Sequence, residues 1–237
     1  LMRTDLGTRA LFEHALASKE PVLLRALIDV YPQSELGDWD RDGVNDRILC
    51  LDDEMLALVF VATEGAPRLY VANGSTQFDG KAALLKGIDS AFPLRHKMWA
   101  TVARNGEVPM NTRLLAVERL LSSGHSTGPS LLEELVLADH WTMPNADLPR
   151  LRKAVGVLPS NQRVPFAVRI LRTAGVPEQV LANVCFSIEI DGGLDAEFVD
   201  EVLRRWLVPG AQAYDFVYQV IEQCGSLPDR ISRETLM

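Results

Sequence analysis

Val108-Pro109-Met110-Asn111-Thr112-Arg113-Leu114-Leu115-Ala116-Val117-Glu118-Arg119-Leu120-Leu121 is the stretch on which the reading of this chain turns. Leu114, Val117 and Leu121 return at the 3.6-residue period of an amphipathic helix. The proline suits the start of that helix, because its fixed φ is helical and it brings no unsatisfied N–H. The same device recurs at Leu158-Pro159 and Val208-Pro209, so the three prolines lie 50 residues apart. The first two copies also share Asn111/Asn161, Arg113/Arg163, Arg119/Arg169 and Leu121/Leu171. In all three, apolar positions coincide at Leu114/Val164/Tyr214, Val117/Ala167/Val217 and Leu120/Ile170/Val220. A fixed period of this kind is the sequence signature of a repeated supersecondary unit.

Outward from that stretch, the chain reads as a succession of short amphipathic helices separated by polar or Pro/Gly joints. Before the repeat, helices are expected at Thr8–Ser18, Glu20–Tyr31, Asp52–Thr63, Gly80–Phe92 and Pro93–Arg104. Asn111–Ser123, Pro129–Asp139 and Asp147–Val155 would fill the first 50-residue interval, and Asn161–Ala174, Pro177–Ile188 and Leu194–Leu207 the second. Ala211–Cys224 would begin a third. One strand candidate stands out, Arg68–Ala72, closed by Asn73-Gly74, so a short hairpin near residues 37–75 is allowed. The expected fold is all-α, with an N-terminal helical region at 1–92 and a helical-repeat region at 93–237, or one continuous domain. In layout the part from about residue 93 to 225 resembles armadillo or HEAT arrays, although the period is longer than theirs. That resemblance implies an α-solenoid-like stack, in which helices too short to bury their faces alone pack on neighbours. The competing architecture is a non-repetitive helical globule.

Composition narrows the function classes. With 237 residues and 47% hydrophobic side chains the chain can bury a real core, which excludes intrinsic disorder and a disulfide scaffold. Its net charge of −8 argues against nucleic acid, whose binding needs a cationic face. No apolar run approaches the roughly 20 residues of a membrane helix. No signal peptide precedes the first helix, and a start at Leu1 suggests an excised piece, so a cytoplasmic location is favoured with a secreted effector as the alternative. Cys50, Cys185 and Cys224 form no CxxC pair and read as reduced packing residues.

The acidity is concentrated. Gly37-Asp-Trp-Asp-Arg-Asp-Gly-Val-Asn-Asp-Arg47 carries D-x-D-x-D-G-x-x-D at Asp38, Asp40, Asp42, Gly43 and Asp46. Alternating carboxylates in a tight loop converge on a hard cation that takes six to eight oxygens. The pattern resembles the calcium loops of EF-hands, thrombospondin type 3 repeats and FG-GAP blades. That resemblance implies calcium held by Asp38, Asp40, Asp42, the Val44 carbonyl and Asp46. The chain departs from the EF-hand at the eighth and twelfth places, which hold Asn45 and Leu49, and Asp52, Asp53 or Glu54 would have to supply the missing carboxylate. The alternative is an acidic, solvated turn with Gly43 at positive φ.

Catalytic constellations are scarce. His14, His96, His125 and His140 show no zinc-ligand spacing, and neither a phosphate loop nor a nucleophile elbow is present. Trp99 and Trp206 lie on helical stripes and are expected in the core, while Arg150-Leu-Arg-Lys153 and Arg204-Arg205 read as solvated helix faces. The leading expectation is therefore a non-catalytic module that binds a protein or peptide. Arg113, Arg119, Arg163 and Arg169 would line its partner face as carboxylate-binding positions, or else form ion pairs within the repeat. A bacterial effector-type transferase or ligase with a dispersed site, and a calcium-stabilised surface or adhesion domain, are the alternatives.

Overall fold

Prolines or aspartates stand at the starts of most of the described helices, as Asp52, Pro109, Asp147, Pro159, Pro177 and Asp195 do. The computed structural model describes residues 5–18, 20, 22–23, 51–62, 69–70, 77–78, 88, 95–137, 147–188 and 195–206. These residues form an all-α fold of nine helices with one two-stranded hairpin, and none of the helices is long and apolar enough to cross a membrane. Contacts divide the chain into two units, Leu1–Val108 and Pro109–Met237.

The first unit holds α1 (Asp5–Ser18), α2 (Asp53–Ala62), β1 (Leu69–Tyr70), β2 (Gln77–Phe78) and α3 (His96–Arg104). Asp52 opens α2 twice over. Its Oδ1 accepts the Met55 N–H at 2.9 Å, and its carbonyl accepts the Leu56 N–H at 2.9 Å. A capping side chain of this kind satisfies a donor that the first helical turn leaves unpaired. Helix α3 packs against α2, with Phe60 and Trp99 in an edge-to-face contact, ring centroids 5.3 Å apart at 83°. Arg95 ties the same pair at its polar margin, reaching Asp53 at 2.6 Å and the Leu51 carbonyl at 3.2 Å. The strand expected at Arg68–Ala72 is present over Leu69–Tyr70. It pairs antiparallel with Gln77–Phe78, so that Leu69 faces Phe78 and Tyr70 faces Gln77.

The second unit contains α4 (Met110–Ser122), α5 (Gly128–Leu137), α6 (Leu148–Gly156), α7 (Ser160–Arg172), α8 (Glu178–Phe186) and α9 (Ala196–Trp206). Both ends of α4 recur 50 residues later in α7, and the start of α5 recurs 50 residues later in α8. Pro109 enters α4 at φ −53°, ψ 141°, and Pro159 enters α7 at φ −51°, ψ 137°. Each proline carbonyl accepts N–H groups three and four residues on, from Thr112 and Arg113 in one case and Gln162 and Arg163 in the other. Helix α4 touches α5 and α6, helix α7 touches α5, α8 and α9, and α6 touches α8. Leu114, Val117, Leu120, Leu132, Leu151, Ala167, Ile170 and Leu181 are fully buried between them. A Leu or Ile removed from water in this way contributes about 1.5–3 kcal/mol.

Helix ends are equally local. Helix α4 stops at a Schellman turn: His125 N–H reaches the Leu120 carbonyl and Gly124 N–H the Leu121 carbonyl, both at 2.9 Å. Gly124 sits at φ +70°, a conformation that costs glycine no Cβ clash. Helix α7 ends at Arg172, two residues before the expected limit. Thr173 turns to extended torsions and its hydroxyl donates to the Arg169 carbonyl at 2.9 Å. The helices expected at Glu20–Tyr31 and Gly80–Phe92 fall largely outside the described residues, and the third copy, from Pro209 through Ala211–Cys224, falls wholly outside them.

Candidate functional site

The four matched arginines occupy equivalent places on α4 and α7 but do not share one environment. Arg113 and Arg119 are half-buried on α4, and burial lowers the Arg113 pKa from its ordinary value. Arg163, also half-buried, turns its Nε back to the Leu158 carbonyl at 2.8 Å and so ties down the joint that precedes α7. Arg169 is the exposed member of the set and reaches Glu133 on α5 at 2.9 Å. Arg163 and Arg169 therefore hold structural contacts within the second unit, one to a backbone joint and one between helices.

A different charged arrangement lies beneath this surface. Glu118, on the apolar stripe of α4, has a side chain only 3% exposed. Its two oxygens receive Arg150 and Lys153 of α6, each at 2.8 Å. Burial by itself raises the Glu118 pKa, but the hydrogen bonds and positive charges of Lys153 and Arg150 prevail and hold it below the usual carboxylate value. In the following helices the polarity is reversed. Glu201 of α9, 6% exposed, receives Arg172 of α7 at 2.8 Å and Arg204 of its own helix at 2.9 Å. Arg172 also reaches Glu197 at 2.9 Å.

Arg150, Lys153 and Arg204 were expected on solvated faces. Lys153 and Arg204 do reach solvent, at 61% and 58% exposure, while Arg150 is half-buried. All three also neutralise the two buried carboxylates, because a carboxylate taken out of water without a cation would be costly. Arg205 likewise pairs with Glu178, whose other oxygen accepts the Trp206 indole N–H at 2.7 Å. The sequence held a signal for Glu118: Leu114, Val117, Glu118 and Leu121 complete one i, i+3, i+4, i+7 stripe, so an acid stands where an apolar residue belongs. Its partners lie 32 and 35 residues away and carried no such signal.

Arg152 bridges the two helix groups from α6. Its Nε donates to Asn183 Oδ1 on α8, and its guanidinium lies over the Phe186 ring, 5.3 Å from the centroid. Phe186 is 42% exposed, the largest side chain of the second unit's described part to be so open. On α5, Ser130, Glu133, Glu134 and Leu137 line a shallow, open groove of about 530 Å3. Cys185 is buried, and burial pushes its thiol pKa up, so it stays protonated and unreactive at neutral pH. Trp99 and Trp206 are 3% and 4% exposed, as core residues should be.

The calcium-type loop, with Asp38, Asp40, Asp42, Val44 and Asp46, lies outside the described residues, as do Cys50, His140 and Trp141. Among the described residues no group of three or more His, Cys, Asp or Glu side chains is placed to hold a metal ion. Set against protein-family models, curated proteins and solved structures, the chain matches none of them.

Proposed function

We propose that residues 109–206 form part of an α-solenoid-like helical-repeat module that binds a protein or peptide partner and catalyses no reaction. The observation that carries this reading is the 50-residue coincidence of α4 with α7, entered by prolines of matching torsion. Helix groups that repeat at a fixed interval build extended surfaces suited to recognising other chains. The charged side chains support the same reading, because Glu118, Glu201 and Arg172 are spent on holding helices together.

On this reading the partner face carries Arg113, Arg119, Arg163 and Arg169, with carboxylates of the partner as their targets. Arg169 is the most accessible, and a partner carboxylate would exchange with Glu133 for it. The test uses the full chain as bait against its native lysate, beside an Arg113→Gln/Arg169→Gln variant. Reproducible capture of the same protein by the wild type, and its loss in a variant of unchanged circular dichroism and melting temperature, supports the partner face. Equal capture by both overturns it. Turnover of a bound partner by the purified chain would overturn the non-catalytic reading.

A further inference from the structure

We propose that the opposed polarity of the two buried carboxylate clamps is a pairing code that directs α6 to α4 and α9 to α7 during folding, and penalises the exchanged pairings. The need for a code lies in the apolar faces. Asp147 precedes α6 and Asp195 precedes α9, 48 residues apart. In that register the buried Leu151, Ala154 and Val155 of α6 match the buried Val199, Val202 and Leu203 of α9. Two helices with the same stripe of aliphatic side chains present similar surfaces to α4 and to α7, and hydrophobic burial has no direction with which to tell them apart.

The charges differ where the stripes agree. In the same register Arg152 matches Asp200 and Lys153 matches Glu201, so two of the three cations on α6 have an acid at the equivalent place on α9, while Arg150 matches Phe198. The receiving helices are complementary to this reversal. Helix α4 offers the carboxylate of Glu118 to Arg150 and Lys153, and α7 offers the guanidinium of Arg172 to Glu201. Val168 stands on α7 at the place that matches Glu118, Arg172 lies one turn beyond it, and α7 carries no acid. Docking α6 on α7 would therefore leave Arg150 and Lys153 without a carboxylate and near a third cation. Docking α9 on α4 would bring Glu201 toward Glu118 with only the Arg204 of its own helix to serve both carboxylates, where α6 supplies Arg150 and Lys153 to one. Specificity of this kind rests on repulsion in the wrong complex as much as on attraction in the right one. The inference depends on the equivalence of the two helix groups and not on any partner, so its test contains no partner and its failure leaves the binding reading untouched.

The experiment refolds the full chain from urea over a range of concentrations and reads masses by light scattering after size-exclusion chromatography. A Lys153→Glu/Glu201→Lys variant reverses the code, while Lys153→Met/Glu201→Gln removes charge from both helices without reversing it. The expected result is a severalfold larger fraction of concentration-dependent, exchanged oligomer in the reversed variant than in the neutral one. Oligomer fractions that are equal in the two variants, or that simply follow the loss in melting temperature, overturn the proposal. A second measurement needs no variant. Lys153 and Arg172 reach solvent, and refolding the wild type in about 1 M rather than about 0.01 M sodium chloride shrinks the Debye length from about 30 Å to about 3 Å. More exchanged oligomer in high salt supports the code, and an unchanged yield overturns it.

Discussion

Lys153 Nζ lies 2.8 Å from Glu118 Oε1, although the carboxylate side chain is 3% exposed and the lysine is 61% exposed. One charge has left water and its partner has not. The two ends of this pair therefore differ in what their removal costs. Glu118→Gln removes the carboxylate charge from two cations, and the loss is about 1.5–3 kcal/mol, the range for hydrogen bonds to charged groups. Lys153→Met leaves Arg150 on the carboxylate and removes a largely solvated ammonium, with a cost under about 1 kcal/mol. Urea unfolding with unchanged m-values checks the order, and an equal loss in both variants would contradict it.

The same carboxylate predicts a pH dependence. Its folded-state pKa is held below the usual value, in spite of burial, by Lys153 and Arg150. A depressed pKa means that the unfolded chain takes up the proton first, so the stabilisation is complete above the unfolded value of about 4.3 and is lost as pH falls through the folded one. The stability gap between wild type and Glu118→Gln is therefore constant from neutrality to mildly acidic pH and narrows below about pH 4.3. Unfolding curves over that range measure it, and a gap that widens in acid would refute the assignment.

In the first unit, Phe60 is fully buried and meets the edge of Trp99 between α2 and α3. Phe60→Ala should cost about 3–5 kcal/mol, the usual loss for a core phenylalanine, and should open water to the indole. A lower unfolding midpoint accompanied by a red shift of native tryptophan emission is the expected pair of observations. An unshifted emission would mean that the contact does not shield Trp99.

Two glycines should respond to alanine with opposite sign. A Cβ on Gly128 would stand 2.8 Å from Leu121 Cδ2 and 3.2 Å from the Leu121 backbone nitrogen, so Leu121 must move and α5 must ease away from α4. Gly128→Ala is expected to destabilise by about 1–3 kcal/mol, as overpacking does. At Gly156 nothing lies within 4 Å of the added atom, and Gly156→Ala is expected to stabilise by about 0.4–1 kcal/mol through the unfolded chain. Melting temperatures of the two variants, measured side by side, give the comparison.

The residue pattern at Asp38–Asp46 makes a prediction that rests on sequence alone. Calcium at millimolar concentration is expected to raise the melting temperature of the full chain, and a chelator to reverse the rise, because a ligand that binds only the folded state stabilises it by mass action. Asp40→Asn/Asp42→Asn should abolish the response. An absent response in the wild type removes calcium from the account of this protein.

Helix limits were legible because their causes are local. Pro109 and Pro159 announce α4 and α7, Asp52 announces α2, and the 3.6-residue period carries each helix to a polar or glycine joint. Even the 50-residue interval could be read, since it needs only the comparison of the chain with itself. The hairpin was half visible: Leu69–Tyr70 lies in an apolar run, but Gln77–Phe78 has too little pattern to name its partner.

Sequence by itself determined the helices, their period and the places of the matched arginines, because dihedral preferences and amphipathic stripes are properties of neighbouring residues. Tertiary structure alone decided where the charges go. The cations Arg150 and Lys153 gain a named acid only when α6 docks against α4 and brings them to Glu118. Arg169, legible either as a carboxylate-binding position or as half of an ion pair within the repeat, meets Glu133 only when α5 packs nearby. A charge finds its partner through space, and residues 30 or more apart along the chain become neighbours only after the apolar faces have met.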